Sequence, residues 1–293
     1  MHACGHDGHT TMLLAAAAHM SAKPEFNGTV HFIFQPAEEI GVNSGAQRMM
    51  EDGLFDRFPC DMVFAMHNHP GLATGEFMTR SGPFMSASDK VLIVVKGRGG
   101  HAARPHLTVD ASLVAAAIVM SLQTIVARNV EPGAAAVISV GRMSAGNTYN
   151  AIPGGAELEL SVRSFDPKVR LLLKRRIEEV VMAQAVAYGA EVRIDYVLGY
   201  PVLINDARAC LLAVEVAQEL IGAAAVNPVA EPIMGSEDFS YMLEAVPGCL
   251  MRIGNGIDSS ALHNASYDFN DKNIVTGSAF WSALIQRCLP ISP

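Results

Sequence analysis

The sequence predicts an α/β protein built from two domains, one of which is inserted into the other. Its 293 residues are enough for two domains of roughly 100 to 200 residues each. Strands alternate with helices in the first part of the chain, and a different order, β-α-β-β-α-β, begins near Ser88. Apolar residues make up 50% of the chain and charged residues only 17%, which excludes an intrinsically disordered protein.

The first part of the chain predicts a helix and two strands that lead to polar residues. Thr10 is a suitable N-cap for a helix that ends near Met20, before the stop signal Lys23-Pro24. Residues 29–34 and 61–66 are rich in β-forming side chains, and polar residues follow each segment. Because ligands bind at the carboxyl ends of strands in open α/β sheets, we expect the chemistry at these strand ends.

Residues 88–197 predict a separate, inserted domain. Its elements are expected at 90–96 (strand), 109–128 (helix), 134–140 (strand), 156–163 (strand), 167–188 (helix) and 191–197 (strand). This is the order of the split βαβ, or ferredoxin-like, unit. Residues 1–87 and 198–293 then form one discontinuous domain with a mostly parallel sheet; its later elements are a helix at 206–221, a strand at 249–253 and a terminal helix.

Charge and cysteine content predict the compartment and exclude two classes of partner. Lys plus Arg total 21 and Asp plus Glu 29, so the net charge of −8 argues against nucleic-acid or anionic-membrane binding. Residues 111–127 carry no charge, but they include polar side chains and fall short of the roughly 20 residues that span a bilayer, so a buried helix is expected. Five widely spaced cysteines and no visible secretory leader predict a cytoplasmic protein.

The first nine residues contain side chains of the types that bind metal ions. Cys4-Gly5-His6 places a thiol and an imidazole on a short glycine-containing loop, and zinc and similar divalent ions prefer such ligands. Two alternatives remain open: chance histidines on a mobile N-terminus, or a Cys4 nucleophile activated by His6. The nucleophile has no recognisable sequence signature and does not explain the carboxylates and histidines that follow.

Glu38 and Glu39 form the second candidate cluster, after the first of the two strands. Adjacent side chains point in different directions, so one carboxylate can bind a metal ion while the other accepts a proton from water. A metal ion can lower the pKa of bound water to about 7, which makes such a proton transfer feasible. Taken alone, a Glu-Glu pair is also typical of a solvated helix start.

Further candidates lie at other predicted strand ends and turns. His67 ends the second strand and His263 lies in a polar loop. A single histidine is more often a surface or core residue than a metal ligand, so their interpretation as ligands depends on the whole set of candidate residues. His101 follows a glycine-rich turn that lacks the spacing of a phosphate-binding loop. Asn150 offers an amide and Arg163 a guanidinium suited to a carboxylate, although a turn and a surface ion pair explain them as well.

Five motifs along the chain resemble those of a known family. They are, in order, His2-Ala3-Cys4-Gly5-His6-Asp7, Gln35-Pro36-Ala37-Glu38-Glu39, Gly100-His101-Ala102-Ala103-x-Pro105-His106, Asn150-Ala151-Ile152-Pro153 and His263-x-x-x-Tyr267-Asp268-Phe269. Together they resemble the aminoacylase and carboxypeptidase-like metallopeptidase family, in particular its branch of hippurate hydrolases and N-acyl-amino-acid amidohydrolases. The resemblance covers essentially the whole chain.

This resemblance implies a fold, a metal centre and an oligomeric state. The fold is a zinc-exopeptidase-like catalytic domain with an inserted lid domain through which a homodimer forms. Two divalent metal ions per subunit would be held by Cys4, His6, Glu39, His67 and His263. A thiolate beside imidazoles favours Zn²⁺, with Co²⁺, Ni²⁺ and the harder Mn²⁺ as alternatives.

The resemblance also implies the reaction and the residues that carry it. The substrate is a small N-acyl-amino acid such as hippurate, and its amide bond is hydrolysed to a carboxylic acid and an amino acid. Glu38 would be the general base, and His101 would stabilise the oxyanion in the partner subunit's site. Asn150 and Arg163 would hold the substrate, with Arg163 at its carboxylate. No role is implied for His69 or His106.

The start of the chain departs from the family pattern. Members of the family carry further strands, and an aspartate that supports the metal centre, upstream of the Cys4 loop. We therefore expect that the N-terminal part of the catalytic domain is missing, with a loss of metal affinity or activity. A second hypothesis follows: a truncated, weakly active or inactive homologue that acts only in binding or dimerisation.

Overall fold

The computed structural model describes residues 1–291, and the chain divides into two compact units. The first unit contains Met1–Phe84, Leu203–Pro232 and the residues from Asp238 onward. The second contains Met85–Val202 and Ile233–Glu237. The sequence placed the inserted domain at 88–197 and did not predict that residues 233–237 would join it.

The helices and strands are named here in chain order. The α-helices are α1 His6–Ala22, α2 Gly45–Glu51, α3 Leu54–Arg57, α4 Ala111–Asn129, α5 Pro167–Tyr188, α6 Ala207–Ile221, α7 Ser240–Leu243 and α8 Lys272–Cys288. The strands are β1 Val63–Pro70, β2 Phe77–Met78, β3 Gly82–Met85, β4 Ala87–Lys96, β5 Gly100–His101, β6 Ala136–Ala145, β7 Ala151–Ile152, β8 Gly155–Ser164, β9 Glu191–Leu198, β10 Leu203–Asn205, β11 Val226–Asn227 and β12 Gly248–Gly256.

A four-stranded sheet in the order β1-β12-β2-β11 forms the centre of the first unit. The pairs β1/β12 and β2/β11 are parallel and β12/β2 is antiparallel, so the sheet is mixed where a mostly parallel one was predicted. Its core contains Phe77 and Phe280, whose ring centroids lie 5.0 Å apart. A Cβ at Gly277 would lie 2.1 Å from Met12 Sδ, so α8 and α1 pack closely only because residue 277 is glycine.

Two strand predictions for the first unit are wrong. Residues 29–34 form no strand, because a β-rich segment becomes one only when a neighbouring strand pairs with it, and none of the described strands does. Strand β1 does not end before His67 but continues to Pro70, since its parallel pairing with β12 extends to Gly256. His67 and His69 are therefore strand residues, and polar character alone misplaced the end of the strand.

Helix α1 begins at His6, earlier than the predicted N-cap Thr10. Gly5 precedes it with φ 83°, a left-handed conformation that favours glycine. A Cβ at this position would lie 2.5 Å from Tyr267 Oη and 2.7 Å from Asn68 Oδ1. Gly5 thus starts the helix and lets the preceding loop lie directly on these two side chains.

The second unit is an antiparallel sheet covered by two helices. Its strand order is β6-β8-β4-β9, and its elements follow the predicted order β4, α4, β6, β8, α5, β9, with the small ladder β5/β7 as an addition. Alternate residues of β4 and one face of each helix form its core, including Val91, Ile93, Ile118, Leu122 and Ile177. The assignment of this unit as a ferredoxin-like lid and dimerisation domain stays a prediction.

Helix α4 is, among the described residues, the one helix long and apolar enough to cross a membrane by length and composition alone. Six of its side chains are buried in the core of the second unit, and Asp110 caps its N-terminus by accepting from Ser112 N and Leu113 N. One face of the helix therefore packs in the core, whereas Leu113 and Met120 are 54% and 71% exposed, so the expectation of a buried helix is met only in part.

Ser86 attaches residues 233–237 to the second unit. Its backbone N–H donates to Ile233 O at 3.2 Å and Gly235 O at 2.9 Å, and its hydroxyl donates to Met234 O at 2.8 Å. These bonds follow no sequence periodicity, which explains why the sequence placed this segment in the other domain.

A buried ion pair connects three elements of the second unit. The Asp89 carboxylate accepts from Arg170 Nη2 at 2.5 Å, from Tyr196 Oη at 3.1 Å and from Gly199 N at 3.1 Å. Burial and the Asp89 charge raise the pKa of Tyr196, which keeps its hydroxyl protonated as the donor. The carboxylate is 5% exposed, so its charge depends on these partners.

We predict that Arg170→Ala lowers the free energy of unfolding by about 3 to 5 kcal/mol, because Asp89 is left as an uncompensated buried charge. The matched control is Arg193→Ala, which removes an exposed ion pair to Asp195 of 3.1 Å and should cost about 0 to 1 kcal/mol. Urea unfolding followed by far-UV circular dichroism measures both. Equal losses in the two variants would contradict the prediction.

Candidate metal centre

Cys4 and His67 form the buried part of a cluster in the first unit. Cys4 lies in the loop before α1 and His67 in β1, and their side chains meet with 3.3 Å between Sγ and Nε2. His67 Nδ1 lies 2.7 Å from the carbonyl oxygen of Asn68, which can only accept. Arg252 Nη1, which can only donate, lies 3.0 Å from the same Nδ1, so this nitrogen faces both an acceptor and a donor, while Nε2 faces the Cys4 sulfur.

His6, Glu38, Glu39 and His263 form the more exposed part of the cluster. His6 Nε2 lies 4.0 Å from Glu38 Oε2, and His263 Nε2 lies 3.2 Å from Glu39 Oε1. The two glutamates lie in a short 3-10 turn, Glu38–Ile40, and a carboxylate oxygen of each lies within 4.8 Å of the other and of a His6 ring nitrogen. His263 has φ 64°, and its backbone N–H donates to Ala3 O at 2.7 Å, which joins its loop to the start of the chain.

The side chains predicted to bind metal, together with the predicted base, converge in the structure. Their potential ligand atoms lie within 4.8 Å of one another in three overlapping groups: Cys4, His6 and His67; Cys4, Glu39 and His263; and His6, Glu38 and Glu39. Thiolate, imidazole and carboxylate in one cluster fit a divalent transition metal such as Zn²⁺. The donor set of this chain therefore fits the metal ions that the sequence predicted.

Two imidazoles of the cluster, those of His6 and His67, have lowered pKa values. Burial, and then the nearby Arg252, lower the pKa of His67 well below its usual value. Burial also lowers the pKa of His6, although Glu39 opposes the shift. A neutral ring nitrogen is the form that binds a metal ion, so both residues are prepared to do so at physiological pH.

Three supporting residues beneath the cluster were not predicted. His9 Nε2 lies 3.0 Å from Asn68 N and 2.7 Å from Asn68 Oδ1, and Asn68 Nδ2 donates to Tyr267 Oη at 2.5 Å. His9 lies three positions after His6 and so shares its helix face, which the sequence could have revealed. Asn68 and Tyr267 carried no such signal, since the contact of Tyr267 with β1 is visible only in the fold.

The other predicted site residues lie in the second unit. His101 is exposed in β5, which pairs with β7, and Ala102 N donates to Asn150 O at 3.1 Å. Arg163 lies near the far end of β8, donates to Met234 O at 3.3 Å, and burial lowers its pKa. The ten residues of β8 span about 33 Å at roughly 3.3 Å per residue. The structure thus brings Asn150 close to His101 and does not bring it close to Arg163.

We predict that His9 makes the stability of the metal-free protein fall in mild acid. Burial lowers the pKa of His9 to about 3, so between its unfolded value, about 6.5, and about 3, the unfolded chain binds a proton that the folded chain does not. One such histidine reduces the free energy of unfolding by up to about 1.4 kcal/mol for each pH unit below 6.5.

The test is urea unfolding of the parent and His9→Gln at pH 7, 6 and 5 with EDTA present. Glutamine has no proton to gain, so the stability of the variant should fall less steeply as the pH decreases. Removing His9 also lessens the downward shift of the pKa of His67, which acts in the same direction. Parallel pH dependences of the two proteins would contradict the prediction.

Comparison with proteins of known sequence shows close relatives. The chain is 39% identical to hippurate hydrolase of Campylobacter jejuni, over 99% of this chain and 74% of the relative. It is 35% identical to N-acetyl-L-cysteine deacetylase of Bacillus subtilis, over 99% of this chain and 68% of the relative. These relatives act on N-acylated amino acids, as their names state.

Solved structures share the fold. A dinuclear metal-binding peptidase of the M20 family, YXEP of Bacillus subtilis, matches with a TM-score of 0.82 and 31% identity, over 99% of this chain and 73% of that one. A putative aminohydrolase from methicillin-resistant Staphylococcus aureus matches with a TM-score of 0.85 and 27% identity, over 98% of this chain and 74% of that one. The α/β fold is thus that of a group of hydrolases.

The family profile gives the same assignment over nearly the whole length of the chain. It matches from residue 1 to residue 287 and does not bear out the expectation that an N-terminal part is missing, which stays a prediction. The motif resemblance noted in the sequence is confirmed at the level of the family. The chain belongs to peptidase family M20/M25/M40.

Proposed function

We propose that this protein is a metal-dependent amidohydrolase that cleaves the amide bond of small N-acyl-amino acids such as hippurate. The observation that carries the proposal is the convergence of Cys4, His6, Glu39, His67 and His263, with Glu38 beside them. The names of the relatives, hippurate hydrolase and N-acetyl-L-cysteine deacetylase, support this substrate class. A cytoplasmic location remains part of the proposal.

Cys4, His6, Glu39, His67 and His263 would hold two divalent ions, of which Zn²⁺ suits a thiolate beside imidazoles best. When bound, such ions polarise the scissile carbonyl and lower the pKa of a water molecule. The protein supplies neutral imidazoles through burial, as the lowered pKa values of His6 and His67 indicate. It also keeps Cys4 shielded from solvent.

Glu38 is the residue placed to move the proton. Its carboxylate lies beside His6 and, unlike Glu39, is mostly shielded from water, with side-chain exposures of 18% and 47%. In the proposed reaction, it takes a proton from the attacking water and delivers it to the nitrogen of the departing amino acid. The two adjacent glutamates thus divide the work between proton transfer and metal binding.

His101 has the tautomer that an oxyanion donor requires. Its Nδ1 accepts from Ala103 N at 3.1 Å, so in the neutral ring Nε2 carries the proton and can donate it to a negatively charged oxygen. Asn150 directly precedes β7, which pairs with the strand of His101, whereas Arg163 lies near the far end of β8. We propose a homodimer in which His101 and Asn150 serve the partner's site while Arg163 binds the substrate carboxylate.

We predict that Glu38→Gln lowers kcat by about 10²- to 10⁴-fold while bound metal is retained, because the amide cannot accept the proton. Glu39→Gln is the matched control, since it changes the neighbouring carboxylate and should lower metal affinity. Hippurate hydrolysis and metal content by mass spectrometry measure the two effects. A Glu38→Gln enzyme that hydrolyses hippurate like its parent would disprove the base assignment.

We predict that Arg163→Ala raises KM for N-acyl-amino acids by about 10- to 100-fold, because a charged hydrogen-bond partner of the substrate carboxylate is lost. Arg142→Ala, which removes an exposed partner of Glu159, should leave KM unchanged. Hippuramide, which lacks the carboxylate, should be a poor substrate for the parent and equally poor for Arg163→Ala. A similar loss for hippurate and hippuramide would contradict the clamp.

A further inference from the structure

Glu38 and Glu39 lie on a short exposed turn between Gln35 and helix α2. Their 3-10 turn has no side-chain cap and is flanked by Ala37 at φ 54° and Gly41 at φ 76°. No residue of the turn is buried, and Ile40 is 56% exposed. A turn of three residues that buries no side chain contributes little packing of its own, so contacts at its two ends help to define where its carboxylates lie.

A single buried carboxylate contacts both ends of this segment. Asp238, which is 0% exposed, accepts from Gln35 Nε2 with one oxygen, in a very short contact. With the other oxygen it accepts from Ala46 N at 3.0 Å. Gln35 comes just before the turn and Ala46 lies in the first turn of α2, so Asp238 ties together the residues on either side of the two glutamates.

The backbone at the two ends is fitted to this arrangement. A Cβ at Gly45 would lie 1.6 Å from Pro36 O, so the chain entering the turn lies directly against the start of α2. The N-cap residue of α2, Ser44, makes no side-chain cap. Asp238 takes its place, because a carboxylate at a helix N-terminus satisfies a free N–H and favours the helix dipole.

We infer that Asp238 is a positioning residue for Glu38 and Glu39, and that the Asp238–Gln35 hydrogen bond sets the distance of the general base from its substrate. Each carboxylate oxygen of Asp238 accepts from a donor at one end of the turn, and this is the contact through which we infer that it acts. The effect on catalysis rests on the proposed function. The structural part of the inference, that Asp238 fixes residues 35–46, is independent of the proposed function.

The test reverses the hydrogen bond. Gln35→Glu places two carboxylates against each other and should lower kcat by about 10- to 100-fold, the usual cost of losing a supporting residue around a metal site, with KM for hippurate little changed. Adding Asp238→Asn restores the hydrogen bond with its direction reversed, because the amide nitrogen at position 238 donates to the carboxylate at position 35. The amide oxygen at position 238 still accepts from Ala46 N. The double variant should therefore recover most of the lost kcat.

The matched control is Gln47→Glu, the same change on α2, where Gln47 donates to the exposed Glu51 at 2.9 Å. This variant should retain the kcat of the parent, because water screens the two exposed carboxylates. A parental kcat in Gln35→Glu, or a double variant no better than Gln35→Glu, would overturn the inference.

Hydrogen exchange of the Ala46 amide provides a readout that needs no substrate. It should be faster in Gln35→Glu than in the parent, return toward the parental rate in the double variant and remain unchanged in Gln47→Glu. If the parent itself fails to hydrolyse N-acyl-amino acids, the proposed function fails, while this exchange pattern still decides whether Asp238 fixes the turn. Equal exchange rates in all four proteins would refute it.

Discussion

The close approach of the Cys4 loop to strand β1 is the constraint on which the candidate site depends. Gly5 lies on Asn68 and Tyr267 without room for a Cβ, and this approach brings the Cys4 sulfur to 3.3 Å from His67 Nε2. Asn68 itself is fixed by the parallel pairing of β1 with β12. The sheet thus provides a rigid support, and contact with the sheet positions the ligands that the irregular loop carries.

Burial has opposite consequences for the charged groups in the two units. Around His67 it removes protons from imidazoles, which then serve as ligands, at a cost in stability when the pH falls. Around Asp89 it is compensated by Arg170, Tyr196 and Gly199, which together stabilise the charged form. The histidines around His67 can therefore bind an incoming cation. Asp89, by contrast, already pairs with the cationic Arg170, and this pair stabilises the fold.

The sequence predicted the regular elements and the ligand set well, and the supporting contacts poorly. Helix α5 has the predicted bounds, Pro167–Tyr188, because a proline start and a glycine end are local signals. The ligands were found because Cys, His and Glu are chemically distinctive. Residues 29–34 were misassigned because strand formation depends on a partner, and Asp238 was missed because its bond to Gln35 joins positions 203 residues apart.

The hydrogen bond from His263 N to Ala3 O couples the loop before helix α8 to the first residues. His263 has a positive φ and lies in a loop whose backbone is hydrogen-bonded to the first residues of the chain. A ligand that orders the imidazole of His263 therefore also orders the N-terminal segment, and fraying of that segment withdraws a ligand from the cluster. Hydrogen exchange of the His263 amide should accordingly report how fully the site is assembled.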